Sequence, residues 1–232
     1  MISIIIPAHN EENRIGKTLN NYISHFSNSN FNYEIIVEMD GCTDNTLEIV
    51  KKFSEKYPQV KYICFQKKLG KGGGFLEGFK VAKGDLIAIT DADSAIKPRY
   101  LEELIKLVEK NWDCAIASRY LKASKILVKQ DLARRIASRG FNLLIRLFFN
   151  LKLKDTQCGG KVFKSEVIKN VMNKLNIKGF AFDVDLLWRI KQKGYTIKEV
   201  PITWEHKDES KIFLPKVVPE MFFALIKLRL RK

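Results

Sequence analysis

The sequence predicts an α/β protein built on a largely parallel sheet wrapped by helices. Three observations carry that prediction. Apolar runs of strand length alternate with segments of helical period through the first half of the chain. Polar clusters follow those runs one after another, at the strand ends where ligands bind in such sheets. The composition, 46% apolar over 232 residues, buries a substantial core.

Taken in order, Ile2–Ile6 reads as a strand before a helix near Glu12–Phe26, and Glu34–Val37 as a strand before a helix near Asp44–Lys56. Lys61–Phe65 precedes a helix near Gly74–Ala82, and Leu86–Thr90 precedes one near Arg99–Lys110, with a fifth strand at Cys114–Ala117. The polar groups "PAHNEE", "DGCTDNT", "KKLGKGGG", "DAD" and "SRY" close these five strands. Core packing alone does not explain five polar strand ends in succession. Residues 131–150 then read as a long helix with Leu132, Ile136, Phe141, Leu144, Ile145 and Phe148 apolar and Arg134, Arg135, Arg139 and Arg146 basic. A short strand in "TQCGGKVF", helices near Ser165–Met172 and Asp183–Lys193, and a strand near Thr196–Val200 follow. Without an internal repeat or a Gly/Ser linker, residues 1–210 are expected to form one domain with two functional halves, 1–118 and 119–210.

The C-terminal segment, 211–232, is basic and amphipathic. Pro219 suits the first turn of a helix, with Phe222, Leu225, Ile226 and Leu230 on one side and Lys227, Arg229, Arg231 and Lys232 elsewhere. Such a helix suits a membrane interface, or docking on the domain, or a homodimer contact. Cys42, Cys64, Cys114 and Cys158 show no C-x-x-C spacing, so neither a zinc site nor a disulfide framework is expected, and the thiols fit a reducing cytoplasm. The N-terminus has no basic region, and its apolar stretch is far shorter than the roughly 20 residues of a membrane span, so neither signal peptide nor transmembrane helix is expected.

Charge is unevenly placed. The net +15 resides almost wholly in residues 119–154, at +9, and 211–232, at +5, while residues 1–118 sum to −1. Phosphate groups, a membrane surface or nucleic acid would match such basic stretches. Nucleic acid is disfavoured, because the motif-bearing half ends its strands in carboxylates that repel a phosphate backbone.

In "IAITDAD", Asp91 and Asp93 stand two positions apart, so an extended chain aims both at one spot, where they repel unless a cation lies between them. Mg²⁺ or Mn²⁺, completed by substrate phosphate oxygens, fits that need; the bland alternative is that Asp93-Ser94 caps the next turn. In "VEMDGCTDNT", Asp40 is placed to accept from a nucleobase or ribose and Asp44 to cap a helix. "LGKGGG" supplies the cation of Lys71, Gly72 and a helix N-terminus, which together suit a diphosphate.

The order "IIIPAHNEE", acidic turn, "LGKGGG", "DAD" resembles the signature of family 2 glycosyltransferases with the GT-A fold. "ASRY", "RR", "DTQCGGKVF", "FAFDVDLLW" and "VPITWEHKDESKI" resemble the polyprenyl-phosphate sugar synthases, most closely the dolichyl-phosphate glucosyltransferases. The resemblance implies a GT-A (Rossmann-like) fold and inverting, metal-dependent transfer of a hexose, glucose before mannose, from a UDP- or GDP-sugar to dolichyl or another polyprenyl phosphate. The alternatives are a GDP-mannose-dependent synthase and transfer to a sugar hydroxyl of a cell-surface glycan.

Carried onto this sequence, the resemblance gives Pro7, Ala8, Asn10, Glu11, Asp40, Lys71, Gly72, Asp91 and Ala92 to the donor, and Asp91 and Asp93 to Mg²⁺ or Mn²⁺. It gives Arg119 with Arg134 or Arg135 to the acceptor phosphate by bidentate contacts, and Gln157 and Lys161 to sugar or phosphate. Asp183 is expected to orient the acceptor or an arginine, since an ionised phosphate needs no general base. Two departures stand out: Met39 replaces the first of a usual aspartate pair, and Gly160 replaces an aromatic. The implied location is cytoplasmic, peripheral on the cytoplasmic face of a membrane.

Overall fold

The computed structural model describes residues 1–128, 132–205 and 214–230, and the side chains of 132–137 and 214–217 lie outside that description. Its centre is β1 (Ile2–Ala8), flanked by β2 (Tyr33–Asp40) and β4 (Leu86–Ile89), with β3 (Val60–Phe65) beyond β2. These four strands are mutually parallel. Ile4 and Ile6 of β1 pack on one face, with α1 (Ile15–Ser27), α2 (Thr46–Lys56) and α4 (Pro98–Lys110). Ile5 packs on the other, with α3 (Lys71–Val81), α6 (Ser165–Met172) and α7 (Phe182–Gln192). A parallel strand covered on both faces has no polar side, which is why the run is unbroken isoleucine.

The seven-stranded order is β3-β2-β1-β4-β7-β5-β8. The expected α/β class with a mostly parallel sheet is therefore observed, with one antiparallel strand. β7 (Lys161–Lys164) runs against both β4 and β5 (Cys114–Ser118), and β8 (Ile197–Pro201) closes the edge parallel to β5. The strand expected from "TQCGGKVF" begins only at Lys161, because the preceding loop is held by Asp155, which takes the backbone N–H of Arg119 (2.9 Å) and Gln157 (3.3 Å). β6 (Lys125–Val128) and β9 (Thr203–Glu205) pair in parallel as a small second sheet. No local pattern marks it, since "KILV" is exposed throughout.

α5 (Leu132–Phe149) and α8 (Leu214–Leu230) join α7 in a third cluster of Ile145, Phe149, Val184, Trp188, Leu225 and Leu228, with Phe149 edge-on to Trp188. The buried faces match those expected in part, with Ile145 and Leu225 buried. Phe148 is exposed beside Leu143 and Leu147, and Leu230 is exposed while Leu228 is buried. Pro219 lies inside α8, not at its first turn. Among the described residues no helix is long and apolar enough to cross a membrane.

One buried group is unusual. Glu38 of β2 is fully buried against α3, and neither carboxylate oxygen has a hydrogen-bond partner among the described residues. A Cβ at Gly74 would fall inside that carboxylate, so the glycine makes room for it. Burial, with Asp40 and Glu77 adding repulsion, pushes Glu38 up to about 8. Its folded value exceeds the unfolded one, so the stabilisation is fully present below the unfolded value near 4.5 and lost as pH rises through 8. The melting temperature is expected to fall from pH 6 to pH 9, by the equivalent of a few kcal/mol at most. Glu38→Gln should flatten that slope in a thermal-melt series; an unchanged slope would locate its cause elsewhere.

Candidate active site

The loops after β1 and β2 are clasped together. Asn10, with φ of 55°, accepts the Thr43 N–H through Oδ1 (2.7 Å), and the Glu11 N–H donates to Thr46 Oγ1 (2.7 Å). The Ala8 carbonyl accepts from Cys42 Sγ, and Pro7 and Ala8 complete the strand beneath. Asp44 takes the Thr46 N–H (3.0 Å) and the Glu12 N–H (3.2 Å), the capping role expected of it.

Asp40 is differently employed. It ends β2, and its buried carboxylate accepts the N–H groups of Leu69 and Gly70 (2.9 Å to the latter). It fastens the loop before α3, so the expected hydrogen bond to base or ribose is already spent. Met39 points to the opposite face and is fully buried in the core, not in a turn.

α3 begins at Lys71, three residues earlier than the pattern suggested, preceded by Gly70 at φ of 81°. Its first turn is locked to the start of α7. The Gly72 N–H donates to the Lys178 carbonyl (2.8 Å), and a side chain at Gly72 would collide with Phe182. The Lys71 ammonium, in the first turn of α3, reaches Asp91 and Asp183.

β4 ends at Ile89, so Asp91 and Asp93 lie in a turn and not in the extended segment from which their common direction was inferred. A cation does relieve Asp91, and it is Lys71, with Nζ 3.1 Å from Asp91 Oδ1 and 3.6 Å from Asp183 Oδ2. Lys161 Nζ lies 2.8 Å from Asp183 Oδ1 and donates to the Cys158 carbonyl (2.5 Å). Four charges thus alternate in sign: Asp91, Lys71, Asp183, Lys161. Burial opposes the charge of Asp91, but Lys71 outweighs it and the pKa is lowered. Burial likewise opposes the charge of Lys71, but Asp183 and Asp91 prevail and hold it raised. Asp93 is raised, first by burial and then by Asp91; its Oδ1 accepts the Ala95 N–H (2.9 Å). Ala92 is buried, and its carbonyl accepts from Thr18.

Lys161, expected to touch substrate, has no exposed surface and instead supports Asp183. Arg119 is also paired within the protein. Its Nε (2.7 Å) and Nη2 (2.9 Å) donate to Asp155, so the fork expected to grip a phosphate is occupied. Its guanidinium also lies over Tyr120 and Trp204. From the other side Glu199 accepts the N–H groups of Lys154 and Asp155, so the 155–160 loop is clamped at its root. Gly159 of that loop packs on the Asp91 carboxylate so closely that a Cβ would overlap it. Gln157 lies nearby with Nε2 buried and unpartnered among the described residues. The side chains of Arg134 and Arg135 lie outside the described residues. Asp155, Gly159 and Glu199 had no assigned role in the sequence reading, since their partners lie between 36 and 68 positions away.

The residues present fit a divalent cation. Among the described residues no three His, Cys, Asp or Glu side chains are grouped to hold one. Asp93, raised by Asp91, is a carboxylate that a cation would relieve, and two carboxylates plus diphosphate oxygens suffice for Mg²⁺ or Mn²⁺.

The family model described as Glycosyl transferase family 2 matches residues 3–172. The chain belongs to this family. It is a glycosyltransferase. It is 34% identical over 231 residues to dolichyl-phosphate beta-glucosyltransferase of Saccharomyces cerevisiae, covering 92% of this chain and 69% of that protein. To the enzyme of the same name from Dictyostelium discoideum it is 30% identical over 224 residues, 91% and 68% of the two chains. Glycosyltransferase AglD of Haloferax volcanii is 31% identical over 218 residues; the match covers 92% of this chain but only 34% of AglD, so the chain spans about a third of that relative. Glucosyl-3-phosphoglycerate synthase of Mycobacterium tuberculosis, solved with Mn²⁺, UDP-glucose and glycerol 3-phosphate, superposes with a TM-score of 0.72 at 16% identity, covering 98% of this chain and 79% of that one. That likeness establishes the shared GT-A fold.

Proposed function

We propose that this glycosyltransferase moves a hexose, glucose in the first instance, from UDP-sugar to dolichyl phosphate or another polyprenyl phosphate, with inversion at the anomeric carbon. The observation that carries the choice of acceptor is the state of Asp183, which is 1% exposed and ion-paired with two lysines at 2.8 and 3.6 Å. A sugar hydroxyl would need that carboxylate as a general base. A phosphate monoester is already ionised and needs none.

Residues 1–118 form the donor half in this reading, and 119–210 the acceptor half. Lys71 and the first turn of α3 bind the diphosphate. Asp93, with Asp91, would hold Mg²⁺ or Mn²⁺, which supplies charge neutralisation for the departing nucleoside diphosphate. With the Asp40 carboxylate occupied, the base is read by backbone groups of the clasped 9–11 and 41–43 loops, which accommodate uridine in preference to guanosine. Arg119 shapes the acceptor side through Asp155, and Arg134 and Arg135 take the acceptor phosphate. The protein sits peripherally on the cytoplasmic membrane face, through the exposed Leu143, Leu147 and Phe223 among Arg139, Arg146 and Lys227.

The test is an acceptor panel with UDP-glucose and Mn²⁺, run with wild type and Asp183→Asn. Label in the lipid phosphate, lowered but measurable in the variant, is expected. Transfer only to glycan hydroxyls, abolished in Asp183→Asn, would favour the base-dependent alternative.

A further inference from the structure

Lys71 stands where a bound cation and a bound diphosphate make opposite demands. It is the sole cation found within 3.1 Å of Asp91 among the described residues. The carboxylates Asp91, Asp93 and Asp183 set against the ammonium groups Lys71 and Lys161 leave a cluster one negative charge in excess. A divalent cation entering alone would meet Lys71 already seated on Asp91. A diphosphate entering alone would add its two charges to the excess. Entering together they leave the balance unchanged, an advantage that grows in a partly desolvated cavity.

Only one of the two lysines is placed to change partners. Lys161 is fully buried within β7 and held by Asp183 and the Cys158 carbonyl. Lys71 is at the first turn of α3, its side chain 18% exposed, on a flexible four-carbon stem. On leaving Asp91 it keeps Asp183 as an anchor, 3.6 Å away and itself fixed by Lys161.

We propose that Lys71 is an exchangeable counterion: it neutralises Asp91 in the nucleotide-free protein and passes to the diphosphate as the divalent cation arrives, so that cation and nucleotide bind with positive coupling. The inference rests on the donor site proposed above and adds a coupling to its filling. Lys161 and Asp183 are positioning residues in it, setting the radius within which Lys71 moves.

The experiment is a Mn²⁺ titration of the full chain, free Mn²⁺ being read by electron paramagnetic resonance, with and without UDP. Lys71→Met is expected to bind Mn²⁺ alone about tenfold more tightly than wild type, and UDP at saturating Mn²⁺ about tenfold more weakly, so that the mutual tightening collapses. Lys71→Arg, which keeps the charge, should retain the wild-type pattern. Lys71→Gln is the second neutral variant should Lys71→Met not fold. The proposal is overturned if the neutral variants bind Mn²⁺ alone no more tightly than wild type, or if UDP tightens Mn²⁺ equally in all chains. Failure of the donor site itself looks different: wild type would bind neither Mn²⁺ nor UDP.

Discussion

Asp93→Asn is expected to lower kcat/KM for sugar transfer by about 10³-fold while leaving the fold intact. The substitution keeps a side-chain oxygen to accept the Ala95 N–H, so the turn after β4 survives. What it removes is the carboxylate that burial and Asp91 already disfavour in the absence of a cation. Asp91 alone leaves the cation one carboxylate short of the pair that would hold it. Loss of one preorganised charge-stabilising group costs about 10²–10³ in rate, and loss of a bound cation several kcal/mol of transition-state stabilisation. Steady-state kinetics beside a thermal melt would check it. A variant with near-normal kcat/KM would remove Asp93 from the chemistry.

Gly159→Ala is the second large effect. The added methyl would overlap the Asp91 carboxylate, and the loop cannot lift away, because Arg119 holds Asp155 and Glu199 holds the backbone of Lys154 and Asp155. Asp91 must therefore rotate off Lys71, disturbing both the cation and diphosphate positions. A fall of about 10²-fold in kcat/KM is expected for such a displacement, with an overpacking cost of about 1–3 kcal/mol. Gly140→Ala is the control. A Cβ there meets nothing within 4 Å, and in α5 it should be neutral or slightly stabilising. Equal losses in the two variants would show that the effect at Gly159 is not steric.

The Gly159 variant depends on a contact that no local pattern in the sequence announces. The sheet was legible because β1 to β5 are short apolar runs whose polar ends mark their C-termini. Lys71 and Asp91 stood out in the sequence as charged residues following strands, and the fold brings the two together. The ion pair between Lys71 and Asp183 joins residues 112 positions apart, and only the fold makes them neighbours. The pairing of Arg119 was not legible either: Asp155, 36 positions away, takes two donors of the fork that suits a phosphate. The helix faces of α5 and α8 were legible only in part: Ile145 and Leu225 are buried as expected, Phe148 and Leu230 are exposed. Both helices are apolar over more than one stripe, so periodicity cannot choose which stripe meets Trp188. The direction of β7 was hidden because nothing in four residues distinguishes an antiparallel insertion from a parallel strand.

Phosphorus-31 nuclear magnetic resonance of the protein with UDP-glucose, Mn²⁺ and a short-chain polyprenyl phosphate in detergent tests the central claim most directly. The account predicts that the phosphomonoester signal of the lipid gives way to a phosphodiester signal in step with the appearance of UDP. UDP accumulating while the monoester signal stays unchanged would contradict it.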